Sequence, residues 1–116
     1  MRAWALSLLL LAGCSGVPSF YDGNESLLAV EARFYVDRLN CDNPKPGVEA
    51  LKDSVDMLAF YSESKESKDL TEMLSLLKET VSGLDRENLN PSLCRLKKKV
   101  LEQQTADIAN AVMWRF

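Results

Sequence analysis

Cys14, Cys41 and Cys94 are the most reactive side chains of this sequence, and no histidine accompanies them. A thiol can attack a substrate, ligate a metal, bridge to a second thiol or accept a lipid. Attack needs a thiolate, generated by a neighbouring imidazole or within a Cys-x-x-Cys pair, and the sequence offers neither. The missing histidine also removes Ser-His-Asp hydrolysis, the HExxH zinc helix and imidazole-ligated haem. The carboxylates are scattered. Glu49, Asp53 and Asp56 occupy one segment and Glu63, Glu66, Asp69 and Glu72 the next, interleaved with Lys52, Lys65 and Lys68. That is the pattern of salt-bridged helix surface, not of two acids facing across a cleft. There is no EF-hand loop, phosphate-binding Gly-rich loop or metal-spaced cysteine set. We therefore expect a non-enzymatic protein with no catalytic residue, no metal, no cofactor and no evident small-molecule substrate.

Two further groups of residues bear on contact rather than catalysis. Lys97-Lys98-Lys99, with Arg95 before them, is the basic run of the chain. Three consecutive positions are spread over about 200° of a helix, so a solvated helix side is expected rather than a basic face for lipid or acidic protein. A net charge of -3 and a pI near 5.0 argue against a nucleic-acid partner. Trp114 and Phe116 close the chain. Aromatics dominate interface hot spots, so this end either docks a partner or folds back onto the core.

The first residues read as an address. Arg2 supplies a short positive region, and Ala3 to Ala12 form an apolar run of ten residues. A membrane-spanning helix needs roughly 20 apolar residues, so this run fits a signal peptide. It ends in Leu11-Ala12-Gly13-Cys14, which resembles the lipobox of bacterial lipoproteins at every position. The resemblance covers the first 14 residues. It implies cleavage before Cys14, a diacylglycerol thioether on Cys14 and acylation of the new amino terminus. One acyl chain binds a membrane reversibly, whereas two or more hold it stably. Ser15 follows Cys14 where enteric lipoproteins retained at the inner membrane carry Asp. The resemblance thus implies the outer membrane, facing the periplasm.

That address bears on the other two cysteines. Outside the reducing cytosol an even pair is most simply a disulfide, the other reading being two buried thiols. A Cys41–Cys94 bridge closes a loop of 54 residues, both cysteines counted, and would contribute roughly 4 kcal/mol by the chain-entropy model.

These groups must be positioned by the rest of the chain, which is too apolar at 47% for disorder and too charged at 27% for a polytopic membrane protein. Residues 1–13 are assigned to the signal peptide, 14–24 to the lipidated cysteine and a tether, and 25–116 to a helical domain. Phe20 and Tyr21 are expected to pack under the domain rather than sit among headgroups. A first helix starts near Asp22 to Glu25, in a capping-box-like pair, and runs to about Asn40. Leu27, Val30, Phe34 and Tyr35, widened by Leu28 and Leu39, form its expected inner stripe. A second helix begins near Pro46, with Val48, Leu51, Val55 and Leu58 inward. Serines in Ser62–Lys68 favour a loop there over a continuous bent helix. A third covers about Lys68 to Ser82 on Leu70, Met73, Leu74, Leu77 and Val81, with Gly83 as a left-handed cap. A fourth opens at Asn90-Pro91 and carries Leu93, Leu96, Val100, Leu101, Ile108 and Val112.

The expected fold is all-α, a small up-down four-helix bundle with one disulfide. In that topology the end of the first helix and the start of the fourth share one end of the bundle, where Cys41 and Cys94 would meet. In coarse features this is similar to the pilotins of secretion systems, small helical lipoproteins that escort a pore subunit to the outer membrane. The similarity implies a membrane-anchored accessory factor that binds another envelope protein. The alternative is a phage- or plasmid-encoded lipoprotein acting in host lysis, as an outer-membrane spanin, or in superinfection or entry exclusion.

Overall fold

The computed structural model describes residues 21–86 and 89–114. It contains helices α1 (Gly23–Asp37), α2 (Lys45–Ser64), α3 (Thr71–Arg86) and α4 (Pro91–Met113), with one 3-10 turn at Lys68–Leu70 before α3. No strand occurs among the described residues. α1 packs on α2 and α4, and α3 packs on the same two from the other side. The result is the expected up-down four-helix bundle, with α1 and α3 on one diagonal.

Local chemistry sets most helix ends. The Asp22 carboxylate caps α1, accepting from the backbone N–H groups of Asn24 at 2.8 Å and Glu25 at 3.4 Å, which would otherwise be orphaned. α1 thus opens at Gly23, within the expected Asp22–Glu25 start. At its other end the Lys98 ammonium donates to the carbonyls of Asp37 and Leu39, both at 3.1 Å. A cation suits the negative end of the helix dipole, so the middle lysine of the basic run is a helix cap rather than plain solvated surface. α2 starts at Lys45 with Pro46 in its first turn, and Asn90 caps α4 by accepting from Leu93 N–H at 2.8 Å.

The joint between α2 and α3 is shorter than expected. Ser62 to Ser64 stay helical, and the break falls on Lys65–Ser67. Ser64 Oγ donates back to the Phe60 carbonyl at 2.7 Å, a bond compatible with helix. The left-handed cap lies here, not at Gly83. Glu66 has φ 61°, Glu66 N–H donates to the Glu63 carbonyl and Ser67 N–H to the Ser62 carbonyl, which is the Schellman pattern. Gly83 sits inside α3, which continues to Arg86 and buries Leu84. Burying a leucine, worth roughly 1.5–3 kcal/mol, outweighs the cost of about 1 kcal/mol for a helical glycine.

The core confirms two faces and corrects parts of the other two. Val48, Leu51, Val55 and Leu58 of α2 are buried, as are Leu70, Leu74, Leu77 and Val81 in and before α3, with Met73 packed against them. α1 is rotated from expectation. Ala29, Ala32, Val36 and Leu39 point inward, with Leu28 and Tyr35 at the core's edge, while Leu27, Val30 and Phe34 face solvent. On α4, Leu101, Ile108 and Val112 are buried as expected, joined by Cys94, Thr105 and Ala109, but Leu96 and Val100 are exposed. Tyr21 is exposed rather than packed under the domain, and Phe20 lies outside the described residues.

Candidate functional site

The two ends of the bundle are held by different chemistry. At one end Cys41, in the corner after α1, is bonded to Cys94, in the first turn of α4, with a Cα–Cα distance of 5.5 Å, within the ordinary range for a bridge. The cysteine pairing read from topology is therefore present. Cys94 is fully buried, and neither sulfur is available as a thiol.

The opposite end gathers the start of α1, the end of α2, the start of α3 and the end of α4. Its centre is Glu25, with no exposed surface. Glu25 Oε2 accepts from Ser62 Oγ and Ser67 Oγ, both at 2.7 Å, and Oε1 accepts from Lys65 Nζ at 3.2 Å. A buried carboxylate is tolerable when its oxygens are hydrogen-bonded and its charge paired. Asp22 sits one turn out, with Tyr61 OH donating to its Oδ2 at 2.6 Å and Lys65 Nζ at 3.6 Å. The Tyr61 hydrogen bond, helped by the capping N–H groups and the Lys65 charge, holds the Asp22 carboxyl below its ordinary range, and the same bond raises the Tyr61 phenol. Because folding favours the ionised Asp22, its contribution to stability is present above about pH 4 and is lost as acid protonates it.

The left-handed residue Glu66 turns the chain so that Ser67 reaches Glu25. Beside this cluster opens a cleft of about 510 Å³. Ser62, Glu63, Ser67, Lys68, Thr71 and Lys78 are among its lining residues. Ser62 and Ser67 are hydrogen-bonded to a carboxylate, the geometry of an activated hydroxyl, but they are 1% and 4% exposed. The cluster is thus positioned to lock the α1–α2–α3 corner, with both hydroxyls committed to Glu25. Sequence reading treated Glu25 as a capping-box member and missed this role. The available signal was its register: Glu25 precedes Ala29, Ala32 and Val36 by four, seven and eleven residues, so it shares their inward face.

The sequence-derived contact residues divide. Trp114, at the end of α4 and level with the start of α1, is 70% exposed, so it does not fold back onto the core. Phe116 and Cys14 lie outside the described residues. Among the described residues no three acidic or cysteine side chains cluster as a metal site, and no helix is long and apolar enough to cross a membrane. No protein-family model, curated protein or solved structure matches this chain.

Proposed function

We propose that the protein is a lipid-anchored helical adaptor of the bacterial envelope, held through Cys14 at the periplasmic face of the outer membrane, that binds or escorts another envelope protein. On this reading it works without catalysis, in the manner of the pilotins to which it is coarsely similar. The observation that carries it is the pairing of the lipobox Leu11–Cys14 with the Cys41–Cys94 bridge. The bridge belongs to an oxidising compartment, which is where the lipobox would deliver the chain. Trp114 supplies the partner contact. It is a large, exposed aromatic at a helix end, the type of side chain that anchors interfaces.

Replacement of Cys14 by alanine in the full chain should release the protein from the membrane fraction, and unchanged retention refutes the anchor. A photo-crosslinking amino acid at position 114, in the native host, should capture an outer-membrane pore subunit. Capture of an inner-membrane spanin instead favours the lysis reading.

A further inference from the structure

The outward row of α1 is apolar surface that the bundle does not use. Leu27, Val30 and Phe34 are 60%, 44% and 49% exposed. Their spacing of three and four residues places them on one face, opposite Ala29, Ala32 and Val36. Eight residues separate Cys14 from Gly23. Even fully extended, that stretch reaches at most about 30 Å. On the lipoprotein reading, on which this inference rests, α1 is therefore the helix joined directly to the anchor. We infer that the outer face of α1 lies in the headgroup layer of the membrane that holds Cys14, with Leu27, Val30 and Phe34 turned toward the acyl chains.

The surroundings of the row suit an interface. A helix lying in a membrane surface buries its apolar face by roughly 5–10 Å and keeps charged groups at its flanks. The Arg38 guanidinium lies over the Phe34 ring, 4.9 Å from its centroid, where its charge can reach phosphates while the ring faces the acyl chains. Glu31 stands exposed at the row's edge. Tyr21, 54% exposed, precedes the helix. This residue type favours the boundary between water and hydrocarbon.

The amount of surface selects the bilayer over a protein. The three side chains expose on the order of 300 Å², judged from their exposures and the sizes of such groups. A stable protein complex buries about 800 Å² on each partner, so this row alone is too small for a second copy or another chain. A bilayer needs no such area, because the lipid on Cys14 already supplies a high effective concentration.

The test uses the full, acylated protein in vesicles of phosphatidylethanolamine and phosphatidylglycerol. With Cys14 acylated and Cys41 bonded to Cys94, an added cysteine is the one reactive thiol. Spin labels at Leu27→Cys, Val30→Cys and Phe34→Cys should show several-fold lower accessibility to a water-soluble nickel chelate than a label at Asp53→Cys, and higher accessibility to oxygen. Water-like accessibility at all three positions in vesicle-bound, acylated protein overturns this inference and leaves the anchor standing. Shielding from both probes marks a protein contact and also overturns it. An intact mass without acyl chains overturns the anchor reading, and this inference with it.

Discussion

α3 and α1 stand on one diagonal of the bundle, and they divide their apolar residues in opposite ways. α3 buries its large side chains, Leu74, Leu77, Val81 and Leu84, and leaves Leu76 exposed by itself. α1 buries small ones, Ala29 and Ala32 with Val36, and exposes the larger Leu27, Val30 and Phe34. Both helices pack on α2 and α4. The core volume is filled mostly from the other three helices, by Leu51, Leu58, Leu77, Leu101 and Ile108, all essentially without exposed surface. Interaxial distance depends on the side chains at the contact, so alanines let α1 lie close over that filled core. The face of α1 that carries the small residues is therefore the one inside.

Four substitutions test this contrast, and urea or thermal unfolding reads each of them. The largest loss is expected for Glu25→Ala. It leaves Lys65 and the Ser62 and Ser67 hydroxyls facing an empty site, at about 3–5 kcal/mol. Leu77→Ala should cost about 2–5 kcal/mol through the cavity it opens, as befits a helix whose large residues face inward. Ala32→Leu should lower the unfolding midpoint by the equivalent of about 1–3 kcal/mol, because the close approach of α1 has no room for three more carbons. A neutral or stabilising result there would break the small-residue account of α1. Leu27→Ala should change stability by no more than about 0.5 kcal/mol; a loss comparable with Leu77→Ala would mean that the outer row belongs to the fold after all.

Legibility followed the same contrast. The stripe of α3 could be read because its large apolar residues recur on one face and charged residues fill the other. The ends marked by Asp22, Pro46 and Asn90-Pro91 could be read because each supplies a specific local device: an acceptor for free N–H groups or a fixed φ. α1 has apolar residues all round, and periodicity then carries two answers. The set with the larger side chains is the outer one. Leu96 and Val100 of α4 failed for the same reason. Gly83 misled because a glycine near a helix end resembles a cap, yet Leu84 had a core to join. Glu66 took the left-handed position with no sequence sign, since tertiary bonds from Ser67 to Glu25 hold it there. Of the contact residues, topology brought Cys41 and Cys94 together, whereas Glu25 and Lys98 work across more than thirty residues of separation, beyond the reach of any local pattern.

The bridge has a mechanical consequence. On the proposed reading, the anchor leaves the bundle before Gly23, and a partner held at Trp114 would pull from the same end. Such a pull peels α1 from α4 starting at that end, breaking contacts one after another rather than together. The peel stops at Cys41–Cys94, at the far end of both helices. Tension then runs down α1, across the two sulfurs and up α4, leaving α2 and α3 outside the load path. Reduction would move the load onto the whole chain and let the bundle unravel under the same force.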